Sequence, residues 1–295
     1  MKTNIKGAGV ALVTSFTVQG EVDFESLGRL IDHVIAGGVD YLVALGTTAE
    51  TPTLTYAEKN DIVIFVKERV AGRMPVIVGI GGNNTADVVA QVEKFDFTGI
   101  EALLSVTPYY NKPSQKGLFG HYKAIAEASP RPLLLYNVPG RTGVNMTADT
   151  TLKLAHEVGN IMGIKEACGN IHQACYVLRD RPGGFQVISG DDNMALPMIA
   201  MGADGVISVA ANAFPKRVAK MVHLALEGRF LEAAGFHLNM IECVDALFAE
   251  GNPAGIKAAL AEKDIIVNRL RLPLAEVSGE LGAKINRLMV EYGLE

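Results

Sequence analysis

A strong excess of charge, of either sign, is missing from this chain of 295 residues, whose formal net charge is -5. Without a basic surface, neither nucleic acid nor an anionic membrane is an expected partner. Long apolar runs are missing as well, since none approaches the ~18 residues of a transmembrane helix. With 49% hydrophobic and 20% charged residues, the composition is that of a well-packed globular chain.

Cysteine and histidine are few and scattered. The three cysteines are Cys168, Cys175 and Cys243, an odd number whose C-x6-C spacing matches no zinc motif. None of the six histidines stands at H-x-H or H-E-x-x-H spacing. We therefore predict no disulfide framework, no metal and no other cofactor. Reduced thiols are typical of the cytoplasm, which is the expected location.

Short runs rich in Val, Ile and Leu alternate with longer amphipathic segments through most of the chain. Continuous hydrophobicity predicts strands buried on both faces, as parallel strands covered by helices are. The first run is interpreted as a strand rather than a signal peptide, because it is short and no small-x-small cleavage site follows. The eight runs are Gly9–Thr14, Tyr41–Gly46, Val76–Ile80, Ala102–Val106, Leu133–Asn137, Met162–Lys165, Val187–Gly190 and Gly205–Val209.

Eight β-α units within roughly 225 residues predict an α/β fold, a closed (β/α)8 TIM barrel. An open sheet of eight strands stays an alternative, because hydrophobic periodicity cannot show closure. Beyond residue 225 the strand signals stop, and helices are predicted over 229–248, 254–269 and 279–293. The predicted domains are a barrel over 1–225 and a C-terminal helical extension over 226–295.

The most informative residue is Lys165, a lysine at the end of the apolar run that starts at Met162. An ammonium at the end of a buried strand is costly to desolvate. An uncharged amine avoids that cost and is a nucleophile, suited to Schiff-base chemistry with carbonyl substrates. The alternatives are a strand-end lysine that extends to solvent and one that pairs with Glu166.

Hydroxyl and guanidinium groups follow other strands, and in a barrel these loops share one face. Tyr136 could move the protons that a lysine nucleophile requires, in a relay with Thr47 and Tyr110. Packing of Tyr136 and helix capping by Thr47 remain open alternatives. Arg141 is suited to bind a carboxylate, unless it is a solvated surface residue. The backbone amides of Thr47 and Thr48 could hold another carboxylate.

Two further motifs are weaker indications of a site. The loop Gly79–Asn84 resembles a phosphate-binding loop, but it does not have the spacing G-x-G-x-x-G. The pair Asp191-Asp192 is interpreted as an N-cap and dipole partner of the following helix rather than as paired carboxylates of a site.

Five motifs of the chain stand in an order known from one enzyme family. They are Gly46-Thr47-Thr48-Ala49-Glu50, Pro108-Tyr109-Tyr110-Asn111-Lys112-Pro113, Tyr136-Asn137-Val138-Pro139-Gly140-Arg141-Thr142-Gly143, Gly163-Ile164-Lys165-Glu166 and Gly190-Asp191-Asp192. The chain resembles the dihydrodipicolinate synthase family over essentially its whole length. Members are pyruvate-dependent, class I aldolase-like enzymes of lysine and diaminopimelate biosynthesis. The resemblance implies a lyase that condenses pyruvate with L-aspartate-4-semialdehyde, giving 4-hydroxy-tetrahydrodipicolinate.

The resemblance also implies catalytic roles. Lys165 matches the residue that forms the Schiff base with pyruvate. Tyr136 matches the proton donor and acceptor, whose protons pass through Thr47 and through Tyr110 of a neighbouring subunit. A site that shares Tyr110 requires at least a dimer, and the family implies a homotetramer built from tight dimers.

Substrate-binding positions are implied in the same way. Thr48 and Ile207 match the pyruvate pocket, Ile207 through its backbone, and Gly190 belongs to the same substrate-binding set. Arg141 matches the residue that receives the carboxylate of the semialdehyde near the mouth of the site. No cofactor is implied.

The chain departs from the family pattern at two motifs. Ala49 replaces the usual glycine after the two threonines, which restricts the backbone but leaves the hydroxyls in place. In the tail, Gly255 stands where the family often has the second proline of Asn-Pro-x-Pro-x-Lys, in the segment Asn252–Lys257. We expect this second departure to affect packing and not the site.

Feedback control by lysine is predicted to be weak or absent. In lysine-inhibited relatives, an allosteric pocket at the tight-dimer interface has a histidine pair or an aromatic residue near positions 56 and 59. A cation at Lys59 should repel the lysine effector. The residues that match this possible allosteric pocket are Tyr56, Lys59, Asn83, Asp87 and Tyr109.

Three other functions stay open. A related pyruvate-dependent aldolase, an N-acetylneuraminate or 2-keto-3-deoxy-sugar acid lyase, would keep Lys165 but typically lacks an arginine at the point of Arg141. A dinucleotide-binding oxidoreductase would use the loop Gly79–Gly82 and form no covalent adduct. A non-catalytic sensor is disfavoured, because every catalytic position is filled.

Overall fold

A closed ring of parallel strands forms the centre of the computed structural model, which describes residues 5–294. The strands are β1 Gly7–Ala11, β2 Tyr41–Ala44, β3 Val76–Gly79, β4 Ala102–Val106, β5 Leu133–Asn137, β6 Ile161–Glu166, β7 Gln186–Ser189 and β8 Gly205–Ser208. Neighbours in the chain are neighbours in the sheet, and β8 pairs with β1. The predicted TIM barrel is confirmed, and the open sheet is wrong.

Helices follow the strands and cover the outside of the ring. They are α1 Phe24–Ala36, α2 Tyr56–Val70, α3 Thr85–Lys94, α4 Gln115–Ala128, α5 Pro139–Thr142, α6 Ala148–Glu157, α7 Ile171–Asp180, α8 Ala195–Ala200, α9 Pro215–Leu226, α10 Phe230–Leu238, α11 Ile241–Phe248, α12 Ala254–Glu262 and α13 Gly279–Glu291. Across residues 5–294, none of the helices has the length and apolar character needed to cross a membrane.

Each predicted run overlaps a strand, and the runs for β4 and β5 match residue for residue. The largest difference is in the first run, where β1 ends at Ala11 and not at Thr14. The Leu12 amide still donates to the Val43 carbonyl of β2, but Val13 and Thr14 bond to the turns after β8 and β2 instead of to strands. The Val13 amide donates to the Asn212 side chain at 3.2 Å, and the Thr14 hydroxyl donates to the Ala49 carbonyl at 2.7 Å.

Two of the predicted tail helices are partly wrong. Segment 229–248 is two helices, α10 and α11, because the chain tightens at its centre, where the Met240 amide bonds the His237 carbonyl. Segment 254–269 is helical only to Glu262, because Asp264 adopts a left-handed φ of 54°, which a right-handed helix cannot include. The division into 1–225 and 226–295 stays a prediction.

Apolar side chains pack in two layers, one inside the ring and one between the ring and the helices. On β2, Tyr41 and Val43 belong to the inner cluster and Leu42 to the outer one, as the two-residue period of a strand requires. Each such aliphatic side chain contributes about 1.5–3 kcal/mol when fully buried. The ring closes tightly, since a Cβ at Gly205 would lie 2.0 Å from the Gly7 carbonyl oxygen.

Candidate active site

Lys165 lies inside the ring, near the carboxyl end of β6. Its side chain is on the opposite face of the strand from Ile164, which belongs to the outer apolar layer. The register pairs Lys165 with Tyr136 of β5, and the lysine Nζ lies 4.2 Å from the centroid of the tyrosine ring. Lys165 is only 5% exposed. The alternative in which it extends into solvent is therefore wrong.

The neighbouring carboxylate, Glu166, is on the outer face of β6 and does not pair with Lys165. It accepts hydrogen bonds from Asn137 Nδ2 at 2.9 Å, Gln173 Nε2 at 3.0 Å and the Cys168 amide at 2.9 Å. Burial raises the pKa of Glu166. Among residues 5–294, no carboxylate lies within ion-pair distance of the Lys165 amine.

Gly190, directly after β7, makes room for the Lys165 side chain. A Cβ at Gly190 would lie 2.9 Å from Lys165 Cε and 2.8 Å from Ala167 Cβ. The Gly190 amide donates to the Glu166 carbonyl at 2.8 Å, which keeps this backbone against β6. The predicted substrate-binding residue therefore lies beside the predicted nucleophile.

Thr47 and Thr48 begin a 3-10 turn, Thr47–Ala49, at the end of β2. Thr48 is buried, and its hydroxyl accepts a hydrogen bond from Asn252 Nδ2 at 3.0 Å. The left-handed backbone of this turn is at Glu50, with φ 54°, and not at Ala49. The replacement of glycine by Ala49 is thus compatible with the turn.

A cavity of about 310 Å³ opens at the carboxyl ends of β2 to β5. Thr47, Tyr136 and Arg141 line it, so the structure brings together three predicted site residues from the ends of two strands, β2 and β5. The Arg141 guanidinium also donates to the Asn252 carbonyl at 3.4 Å. Ile207 is fully buried in the inner apolar cluster that contains Tyr136.

The possible allosteric residues divide into two groups. Lys59 and Tyr109 line the same cavity as Thr47, and burial lowers the pKa of Lys59. Tyr56, Asn83 and Asp87 do not line it. Of these three, Asn83 contacts a residue that lines the cavity, since its Nδ2 donates a hydrogen bond to the Tyr109 carbonyl at 3.1 Å.

Tyr110 is apart from the other predicted catalytic residues. It is 88% exposed, and its backbone has a left-handed φ of 73°. Within this one subunit, Tyr110 does not line the cavity.

Sequence reasoning missed Asn252, because Gly251-Asn252-Pro253 indicated only a break between helices. Its amide reaches Thr48 and its carbonyl reaches Arg141. The departure in the tail lies at Gly255, and its surroundings agree with the expectation that it affects packing. Gly255 itself is a packing residue, since a Cβ there would lie 2.2 Å from the Leu247 carbonyl oxygen. Asn252, three residues earlier, contacts the site.

Asp192 is the other residue whose interpretation changes. Asp191 caps the following turn by accepting from the Asn193 amide at 2.9 Å, as predicted. Asp192, however, is buried and accepts from the Ser208 hydroxyl and the Val209 amide at the end of β8. Burial raises the pKa of Asp192. A carboxylate between two strand ends was not signalled by the local sequence.

The glycine loop after β3 is explained by packing. A Cβ at Gly79 would lie 2.2 Å from the Leu45 carbonyl oxygen, so glycine allows the β2 and β3 ends to approach. The closed ring also lacks the strand-order reversal at which doubly wound sheets bind dinucleotides. Neither observation supports the oxidoreductase alternative.

Known proteins match the chain along its length. A model of the Dihydrodipicolinate synthetase family matches residues 4–291. A Parabacteroides distasonis protein named 4-hydroxy-tetrahydrodipicolinate synthase is 53% identical over 292 residues, 99% of this chain and 98% of that protein.

Solved structures agree with these sequence matches. Dihydrodipicolinate synthase from Aquifex aeolicus has 40% identity and a TM-score of 0.94, over 98% of this chain and 99% of that one. The Acinetobacter baumannii enzyme complexed with pyruvate has 38% identity and a TM-score of 0.96, over 99% and 100%. The resemblance is confirmed, and this chain belongs to the Dihydrodipicolinate synthetase family.

Proposed function

We propose that this protein is a lyase that condenses pyruvate with L-aspartate-4-semialdehyde to 4-hydroxy-tetrahydrodipicolinate. The observation that carries the proposal is the buried amine of Lys165, 4.2 Å from the Tyr136 ring inside the barrel. The relatives named as this synthase support the choice of reaction. No observation favours the sugar-acid aldolase alternative.

The proposed chemistry starts with attack of the uncharged Lys165 amine on C2 of pyruvate. Protonation of the carbinolamine hydroxyl lets it leave as water and gives a positively charged imine, which makes the adjacent methyl group acidic. Removal of a methyl proton gives an enamine, which attacks the aldehyde carbon of the second substrate. The amino group of that substrate then attacks the imine carbon and displaces Lys165 as the ring closes.

Protons move at several of these steps, and we assign them to Tyr136. Its register partner is Lys165, and it lines the cavity together with Thr47. A phenol that donates and accepts within a hydroxyl relay is a suitable shuttle. The third hydroxyl of the proposed relay is Tyr110 from a neighbouring subunit, because Tyr110 is exposed and does not line the cavity of its own subunit.

Substrate binding is assigned to groups at the carboxyl ends of the strands, of which Arg141 lines the cavity. We propose that Thr48, the Ile207 backbone and Gly190 hold pyruvate beside Lys165. The Arg141 guanidinium would bind the carboxylate of the semialdehyde through charge-assisted hydrogen bonds. Shared use of Tyr110 implies a dimer at least, and we propose a homotetramer of two tight dimers in the cytoplasm.

The decisive experiment is borohydride reduction of the protein with pyruvate, followed by peptide mass spectrometry and a coupled assay with the semialdehyde. The expected result is an adduct on Lys165 together with turnover. Lys165→Ala should abolish the adduct. An adduct without turnover would favour a sibling aldolase, and an unchanged protein mass would refute the Schiff-base mechanism.

Arg141→Ala separates binding of the second substrate from imine formation. Trapping of pyruvate on Lys165 should persist, because Arg141 is assigned to the other substrate. The KM for the semialdehyde should rise about 10- to 100-fold, the range expected for loss of a hydrogen bond to a charged group. Equal loss of trapping and of condensation would contradict the assigned role.

A further inference from the structure

A buried ion pair lies behind the turn that carries Thr47 and Thr48. Lys257 of α12 contacts Glu50, the residue that ends this turn, and the side chains of both are 0% exposed. The two residues are far apart in sequence and belong to the tail and to the end of β2. Neither has a role in the proposed mechanism.

The ammonium of Lys257 is fully surrounded by partners. Besides Glu50, it donates to the Arg269 carbonyl at 2.8 Å, and it lies 4.3 Å from the centroid of the Phe16 ring. Burial lowers the pKa of Lys257 to about 8, although the Glu50 carboxylate opposes this shift. The pair is therefore held at a considerable desolvation cost.

Glu50 is equally well satisfied, and its backbone is unusual. The second carboxylate oxygen accepts from the Arg271 amide at 3.0 Å. With φ 54° and ψ 33°, Glu50 is left-handed, a conformation that glycine or asparagine adopts more readily. The preceding carbonyl, that of Ala49, accepts the Thr14 hydroxyl at 2.7 Å. The turn is thus constrained from both of its sides.

The same tail segment also holds Thr48 directly. Asn252, just before α12, donates to the Thr48 hydroxyl, while Lys257 within α12 binds Glu50 two residues further along the turn. Two contacts from one short segment fix both the side chain and the backbone of the turn. Stability alone does not require this arrangement, since well-packed apolar residues often replace a buried ion pair without loss.

We propose that Lys257 and Glu50 are positioning residues, through which the C-terminal helices hold Thr47 and Thr48 in the geometry used for catalysis. The inference rests on the proposed function, because it takes the roles of the two threonines from there. On this proposal, the C-terminal helices fix the geometry of the active site in addition to packing on the barrel.

The test is the double variant Glu50→Gln with Lys257→Met, in the full-length protein. It removes both charges, so no unpaired charge stays buried, and its thermal unfolding midpoint should remain near that of the wild type. The kcat should nevertheless fall about tenfold or more, and the KM for pyruvate should rise by a similar factor, because a small displacement of a positioned group has effects of this size. Wild-type values of both constants in the folded double variant would overturn the proposal.

Two further variants keep the test decisive. Should the double variant not fold, Glu50→Gln with Lys257→Gln carries the same expectation, because it also removes both charges while each side chain keeps hydrogen-bonding groups. Leu288→Ala in α13, a buried core residue of the tail, is the matched control. It should lower the unfolding midpoint while kcat and KM stay within about twofold, since it opens a cavity away from the turn.

Hydrogen exchange separates this proposal from the proposed function. Without substrate, the amides of residues 46–53 should exchange faster in the double variant than in the wild type, whereas those of β6 should not change. Unchanged exchange at the turn would overturn the positioning role. Lack of a Lys165 adduct in the wild type would instead contradict the proposed function.

Discussion

Lys165 and Glu166 are adjacent in sequence, yet β6 gives them different surroundings. Lys165 faces the interior of the barrel beside Tyr136, while Glu166 faces outward into amide donors. The two-residue period of a strand separates them, so the carboxylate cannot neutralise the amine through an ion pair. This separation leaves the amine of Lys165 available for a reaction.

Gly190→Ala tests how closely the backbone after β7 packs on the lysine. The new methyl group would overlap Lys165 Cε, 2.9 Å away, and displace the amine from Tyr136. We expect the rate of borohydride-trapped adduct formation to fall about tenfold, consistent with the ~1–3 kcal/mol cost of overpacking. Gly235→Ala, where a Cβ has nothing within 4 Å, is the control and should leave the rate unchanged. An unaltered rate in the Gly190 variant would show that the lysine tolerates the methyl group.

Lys59→Ala tests the predicted insensitivity to lysine. Lys59 and Tyr109 both line the cavity. The ammonium group of a lysine effector bound there would be repelled by the ammonium group of Lys59. Removing that cation should lower the inhibition constant of lysine about fivefold, since like charges at close range in water repel by about 1 kcal/mol. Lys67→Ala on the same helix is the control. Potent inhibition of the wild type by lysine would contradict the prediction.

At the scale of elements, the loop after α12 fastens the tail to the start of α2. The Arg271 guanidinium binds the Glu58 carboxylate and donates to the Thr53 carbonyl at 3.1 Å and the Gly20 carbonyl at 2.8 Å. Glu58 also completes the capping box of α2 with Thr55. Arg271 thus connects the loop after α12 with the loop at Gly20, with Thr53 and with the first turn of α2.

The Arg271–Glu58 contact predicts a pH dependence of stability. Hydrogen bonds from Arg271 lower the pKa of Glu58 to about 2, from an ordinary value of 4.5. A lowered carboxyl pKa stabilises the folded state above pH 4.5, and this contribution is lost as the pH falls towards 2. The Glu58 side chain is 25% exposed, so solvent screens the pair and we expect about 1 kcal/mol at neutral pH.

Glu58→Gln should lower the free energy of unfolding by that amount in urea titrations at neutral pH. The difference from the wild type should shrink as the pH is lowered through the window from 4.5 towards 2. Glutamine preserves the capping box, so loss of the cap is not a confounding effect. Glu232→Gln, which breaks the exposed pair with Arg229, is the control and should cost only a few tenths of a kcal/mol. A difference that is independent of pH would contradict the assignment.

At the scale of the whole molecule, the proposed relay requires Tyr110 from a second subunit, since Tyr110 is exposed and does not line the cavity of its own subunit. A mixture of Lys165→Ala and Tyr110→Phe subunits tests this by complementation. Each variant alone should be impaired, the first without adduct and the second with a kcat reduced about 100-fold, within the range for a lost proton-transfer group. In mixed dimers, one site unites intact Lys165 with intact Tyr110 from the other subunit.

Activity should therefore rise when the two variants are dissociated, mixed and reassociated, towards about a quarter of the wild-type value for random pairing. Sedimentation analysis of the same samples reports whether the assembly is the proposed tetramer. No rescue in samples that do form mixed dimers would show that Tyr110 acts within its own subunit or not at all.

Much of this protein is determined by its sequence alone. Eight apolar runs predicted the strands of the barrel, because a strand buried on both faces leaves an unmistakable local pattern. The position of Lys165 at a strand end and the strand-end motifs predicted the candidate site residues, and the family was recognised from the same motifs. The apolar runs and the strand-end motifs are local or repeat regularly, so they can be recognised in the sequence without a structure.

Other properties required the tertiary structure, since they join residues that are distant in the chain. Closure of the ring depends on the approach of β8 to β1 at Gly7 and Gly205. Hydrogen bonds from Asn252 and the ion pair of Lys257 with Glu50 connect segments about 200 residues apart, and no local pattern encodes such contacts. The chain's periodicity thus determined the barrel and its reactive end, whereas long-range packing decided what holds the threonine turn in place.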